Sequence, residues 1–196
     1  SPPDPSIRPR FERCMLRRCI HRSVFVNGAI LDEVLVDGIG SRGRIPLFLS
    51  GTVFRHVVVR GRVCSLKINE APAGCDTPAS ESLWKAANRK FYEGVDWALD
   101  ISQAEFVSGP TFETVPGHLI RRDPETQVLV RRSSIEDSDL SSIDWGKSSF
   151  GVALRWFLDS GQYDSVVLAA ARKSPSFAEQ CDVLDMLRGR GIAEKD

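Results

Sequence analysis

The chain has 196 residues, 42 % hydrophobic and 27 % charged, with 26 Lys+Arg against 26 Asp+Glu and hence no net charge. These proportions suit a folded globular protein and exclude a low-complexity or disordered chain. The zero balance argues against the whole chain being a nucleic-acid coat, and equally against an acidic mimic of nucleic acid.

No apolar run approaches the roughly 18 residues that a membrane span needs. The opening Ser-Pro-Pro-Asp-Pro is not read as a signal peptide, because no apolar core follows its arginines. The five cysteines (14, 19, 64, 75 and 181) are odd in number and irregularly spaced. That pattern suits reduced thiols, so a cytoplasmic location is expected.

In chain order, residues 1–10 carry four prolines and read as an extended arm. Residues 11–22 follow with Arg13, Arg17, Arg18 and Arg22, so 1–22 is expected to be a basic N-terminal arm or cap. Phe11, Met15 and Cys19 are four apart, which favours a helical stripe, although a first strand fits too. From Ser23 to Asn69, valines alternate with frequent glycines (28, 38, 40, 43, 51 and 61). Short strands joined by tight corners fit this composition. Residues 70–80 read as a loop, and 81–93 as a helix capped by Ser80, striped by Leu83, Trp84, Ala87 and Phe91, and ended by Gly94. Val95 to Arg132 returns to short strands, with 119–122 and 127–132 expected to pair as a hairpin around Asp123-Pro124. Residues 133–146 look like a linker, and 147–196 like three short helices. The β-rich body is therefore expected to span 23–132.

A five-residue rhythm runs through Phe25, Ile30 and Leu35, and after a one-residue slip through Leu49, Phe54, Val59 and Cys64. With Ala104-Glu105-Phe106, and more loosely Thr52-Val53-Phe54 and Val57-Val58-Val59, it resembles the pentapeptide-repeat proteins over about 70 residues. That resemblance implies a right-handed β-helix-like body, unstable one repeat at a time, and a non-catalytic binding surface. The family's DNA-like role on topoisomerases needs a strongly acidic face, which a neutral chain does not offer. The fold class expected is thus α+β, with a β-rich, β-helix-like and pentapeptide-repeat-like body, a helical insertion and a small C-terminal helical part. An ordinary antiparallel sheet with the 81–93 helix on one face also fits the valine-rich runs.

Chemistry-bearing patterns are sparse. Cys14, Cys19 and His21 supply only three ligands in one stretch, short of the four that a closed zinc site takes, so no metal or cofactor is expected. His56 and His118 are candidate general bases, and Glu33, Asp37, Asp96, Asp100 and Glu105 candidate acids. On a strand, Asp96 and Asp100 would share a face but lie roughly 13 Å apart, too far for a glycosidase pair. The Gly-rich loop at Ser41-Arg42-Gly43-Arg44 lacks the ending of a P-loop.

With no catalytic motif, the expected function is a protein-binding module, of the size of an immunity or regulatory protein that neutralises a partner enzyme. The alternative is an arginine-rich nucleic-acid-binding or phosphate-processing protein. Arg42, Arg44, His56, Arg60 and Arg62 are its candidate binding residues. A protein partner is expected, nucleic acid is the second candidate, and neither a membrane partner nor an oligomeric state is indicated.

Overall fold

The computed structural model describes residues 4–43, 45–75, 77–136 and 138–194. Three short strands follow one another at the start: β1 (Arg10–Glu12), β2 (Met15–His21) and β3 (Phe25–Asn27). The pattern continues with β4 (Ile30–Asp32), β5 (Leu35–Ser41), β6 (Leu47–Ser50), β7 (Val53–Arg55), β8 (Val57–Val63) and β9 (Leu66–Asn69). Each of the first six strands pairs in parallel with the strand three places further on. Arg10 faces Ile30, Met15 faces Leu35 and Phe25 faces Phe48. The result is three parallel sheets, ordered β1-β4-β7, β2-β5-β8 and β3-β6-β9.

The bends between strands need backbone that turns left-handed. Arg13, Glu33 and His56 all have φ near +50°, each just before a strand of the second sheet. Gly51 turns at φ +63° before β7, and a Cβ there would lie 2.4 Å from the ring of Pro72, so only glycine fits.

After the loop at 70–76 comes α1 (Pro78–Tyr92). Its cap is Thr77 rather than Ser80. Thr77 Oγ1 accepts from the Ser80 amide at 3.2 Å, Ser80 Oγ accepts from the Thr77 amide at 3.3 Å, and Pro78 opens the helix without an N–H to satisfy. The buried stripe is Trp84, Asn88 and Tyr92, whereas Leu83 is exposed. Next, β10 (Leu99–Phe106) joins β8, and β11 (Ile120–Arg121) joins β10, both in parallel. The strand β12 (Gln127–Arg131) then leads through the five-residue α2 (Arg132–Glu136) to α3 (Phe150–Ser160), β13 (Ser165–Ala169) and α4 (Phe177–Gly189).

β12 and β13 form an antiparallel pair buried on both faces. Leu129, Val167 and Ala169 point into the core of the parallel sheets with Phe54, Phe106 and Phe112. Val128, Val130, Val166 and Leu168 point the other way, onto Leu154 and Phe157 of α3 and Leu184 and Leu187 of α4. A two-stranded ribbon thus separates two apolar cores.

This architecture corrects the expected fold class. The chain is a mixed α/β protein with three parallel sheets, an antiparallel pair and helices, and not an α+β chain with a β-helix-like, pentapeptide-repeat-like body. The five-residue rhythm misled because it requires one inward residue in every five. Phe25 is 56 % exposed, and β8 buries three residues within seven, Val57, Val59 and Val63. An ordinary antiparallel sheet is equally overturned for this region by the uniform parallel pairing. The C-terminal part is not purely helical either. Val166 to Ala169 form β13, because a strand buried on both faces shows no alternation to distinguish it from a buried helix. The expected hairpin of 119–122 with 127–132 does not form, since β11 pairs with β10 and β12 with β13. Residues 11–22 are strand rather than helix. A separation of four residues puts Phe11, Met15 and Cys19 on one face of either element, so spacing alone did not decide.

Candidate functional site

The strands β1, β2 and β3 each end their sheet, and among the described residues no further strand covers them. Six large apolar side chains sit on or beside these strands: Phe11, Met15, Leu16, Ile20, Val24 and Phe25. They are between 39 % and 64 % exposed. At roughly 150–200 Å² each, they leave on the order of 500 Å² of apolar surface together, the size of patch that marks an interaction site on a monomer. An apolar cavity of about 250 Å³ lies between the three sheets. Its exposed lining residues Phe11, Leu16 and Val24 all belong to this side, so the cavity opens along the uncovered strands. Phe25 is held by a parallel stack on Phe48 at 4.9 Å between ring centroids.

The rim of this edge is basic. Arg10 is tied to Asp32 at 2.7 Å, Arg17 lies 3.7 Å from Asp37, and Arg13 lies 3.7 Å from Glu12. Arg18 and Arg22 are exposed and form no ion pair among the described residues. The edge therefore offers three things at once: unpaired strand backbone, apolar side chains, and cations at its margin. The edge was not foreseen, because the spacing of Phe11, Met15 and Cys19 fits a helix stripe or a first strand and does not show which strands lie uncovered.

No family model, curated protein or solved structure matches this chain. The site must therefore be judged on geometry alone.

The sequence-predicted residues fall into separate clusters. His56 Nε2 and Asp96 Oδ1 are 2.6 Å apart although forty residues separate them, and Trp97 stacks on the imidazole at 4.8 Å. Arg121 covers the other part of this cluster, 4.1 Å from the Trp97 ring centre. The His56 bond holds the Asp96 carboxyl below its ordinary value. Asp96 is largely exposed, and the pair lines none of the principal cavities among the described residues. A base paired with a carboxylate but lacking a substrate-sized hollow has no place to hold a reacting atom. His118 is exposed on a 3-10 turn (Gly117–Leu119), remote in sequence from that pair.

Arg60 donates to Asp37 at 3.0 Å and shares that carboxylate with Arg17. Arg55 is bound to Asp32 in the same manner, opposite Arg10. Two Arg–Asp–Arg triads thus take up Arg10, Arg17, Arg55 and Arg60, of which Arg60 was a candidate binding residue. Arg42 and Arg62 are exposed without an ion pair among the described residues, and Arg44 lies outside the described residues. Asp100 bonds Ser102 at 2.6 Å rather than joining Asp96, and Glu105 pairs with Lys173 at 2.8 Å.

Asp32 is the buried member of its triad, with a side chain 1 % exposed between two arginines that reach solvent. The hydrogen bond from Arg55 is the main cause that holds its carboxyl below 3.8. A depressed carboxylate stabilises the fold above the unfolded value and loses that contribution as pH falls through the folded one. Asp32→Asn should accordingly lower stability by about 2 kcal/mol at pH 7, less than a fully buried pair because both partners are half in water. The deficit should shrink as pH falls below 3.8 towards the lower folded value. Urea unfolding at pH 7 and pH 3 measures it, and an equal deficit at both values would refute the ion-pair account.

His21 is buried, with Nε2 3.2 Å from Cys64 Sγ and Nδ1 without a hydrogen-bond partner. Burial raises the Cys64 thiol above its ordinary value, which suits a packed thiol rather than an activated nucleophile. Among the described residues no group of three His, Cys, Asp or Glu has the geometry to hold a metal ion. None of the five cysteines forms a disulfide. No helix of the described residues is long and apolar enough to cross a membrane.

Proposed function

We propose that this chain is a non-catalytic protein-binding module that takes an extended strand of a partner protein along β2, the longest strand of the uncovered edge. The observation that carries the reading is the uncovered edge of three parallel sheets with its six half-exposed apolar side chains. Unpaired strand backbone supplies the hydrogen bonds for adding a strand, and alternate side chains of that strand fill apolar sites.

The basic rim selects the partner. Arg18 and Arg22, exposed and without an ion pair among the described residues, favour a strand in which apolar residues alternate with Asp or Glu. The same arginines oppose a second copy of this chain, which would bring like charges together. A regulatory or immunity-type role in the cytoplasm belongs to this reading, as a protein that inactivates an enzyme by occupying one of its strands. The nucleic-acid alternative has less support, because Asp32 and Asp37 take up Arg10, Arg55, Arg17 and Arg60.

The test uses two labelled octapeptides, one alternating Val with Asp and Glu, the other alternating Val with Lys. The acidic peptide should bind in fluorescence anisotropy, and Met15→Glu and Ile20→Glu should each weaken it at least tenfold. Both positions are exposed, so these variants should retain wild-type circular dichroism. Equal binding of both peptides, or no binding of the acidic one, would overturn the reading. Preferential binding of a single-stranded oligonucleotide over either peptide would favour the alternative.

A further inference from the structure

A second hollow lies away from the uncovered edge, between β9, the loop at 111–114 and the outer side of α3. It is an open cleft of about 540 Å³, within the range that holds small molecules. Glu113 lines it and is only 6 % exposed, yet its Oε1 is buried without a hydrogen-bond partner. Glu70 lines it as well. One of its oxygens is held by Lys85 at 2.9 Å, and the other is buried and unpartnered. An orphaned carboxyl oxygen costs free energy unless a donor arrives. Two of them on one cleft ask for a ligand that brings at least two hydrogen-bond donors.

The neighbours restrict what that ligand is. Lys67 lines the same cleft, 5.9 Å from the ring centre of Trp156, and Glu81 lines it too, bridged to Lys85 at 3.2 Å. Asn69 and Thr111 add neutral polar groups, and the indole of Trp156 is half exposed at the rim. Neutral hydroxyl donors suit the orphaned oxygens, and an indole face suits the C–H face of a sugar ring. We infer that this cleft is a carbohydrate site in which Glu70 and Glu113 accept ligand hydroxyls and Trp156 supports the ring. The inference is independent of the strand-binding edge, whose residues it does not use.

The test titrates the full chain with cellobiose, maltose and N,N′-diacetylchitobiose, followed by isothermal titration calorimetry. Putrescine and glycine serve as the cationic and zwitterionic controls. At least one disaccharide should saturate the signal, and Glu113→Leu and Trp156→Ala should each weaken it tenfold or more. Trp156 is half exposed, so its variant remains informative even where Glu113→Leu fails to fold. Three results would each overturn the inference: no disaccharide binding up to about 10 mM, binding of putrescine or glycine in place of sugars, or sugar binding that survives Trp156→Ala.

Discussion

Glu113→Gln should leave stability nearly unchanged at pH 4 and raise it by about 3 kcal/mol at pH 8. Burial pushes the Glu113 carboxyl from 4.5 up to about 7, against the opposing effects of its own backbone N–H and of Lys67. A carboxyl raised in the folded state favours the proton there. Its contribution to stability is fully present below 4.5 and is lost as pH rises towards 7, at about 1.4 kcal/mol per pH unit. Gln keeps the shape without the titration, so the gain of the variant should grow across that window and level off above it. The other charged groups on the cleft are Lys67, Glu70 and Glu81, with Lys85 bridging the two glutamates. Lys67 limits the gain, because the variant loses its attraction to the carboxylate. Urea unfolding of both proteins at pH 4, 5, 6, 7 and 8 measures the difference. A gain of constant size, or none, would show that Glu113 is solvated in solution. The wild-type chain thus retains a group that weakens it at neutral pH, as expected where a site serves binding at the expense of stability.

Trp84→Ala should be the most damaging single truncation, costing about 3–5 kcal/mol. The indole is 2 % exposed and seats α1 against the bend after β3. A Cβ built on Gly28 would lie 2.6 Å from the indole Cη2, so the ring rests directly on that backbone. The Arg8 guanidinium covers it from the arm, 4.5 Å from the ring centre, and also reaches the Asn88 side chain of the same helix at 2.7 Å. Gly28 has φ +62°, so Gly28→Ala combines an unfavourable backbone with a steric conflict and should cost about 2–3 kcal/mol. Trp84→Phe shortens the ring system and removes that conflict. The double variant Gly28→Ala/Trp84→Phe should therefore be less destabilised than the sum of its parts, and strict additivity would refute the contact. Thermal unfolding of the four proteins completes the cycle.

Much local structure was legible because it depends on neighbours along the chain. The valine- and glycine-rich stretch of 23–69 is strands and bends, since β-branched residues favour extended backbone and glycine tolerates left-handed turns. A helix was expected at 81–93 and is found at Pro78–Tyr92, although its cap is Thr77 rather than Ser80 and of the expected stripe only Trp84 is fully buried. The helices at Phe150–Ser160 and Phe177–Gly189 were visible from local apolar spacing.

What remained hidden depends on which strand lies beside which. The five-residue rhythm of Phe25, Ile30 and Leu35 falls on the first residues of β3, β4 and β5, and nothing in such spacing states that their neighbours are twenty or more residues away. Val166–Ala169 read as helix because a strand covered on both faces carries no alternation. The polar groups show the same division. The types of His56, Asp96, Asp37 and Arg60 were on view, whereas the pairing of His56 with Asp96 across forty residues arises only when β8 and the segment before β10 come together. Glu113 was passed over because a lone carboxylate in Thr-Phe-Glu-Thr-Val is ordinary in sequence, and burial alone makes it unusual. The sequence by itself determined where this chain extends, bends and coils, because those preferences act between adjacent residues. Only the tertiary structure decided the parallel register, the uncovered apolar edge and the buried carboxyls of the cleft, because each depends on contacts between segments far apart in the chain.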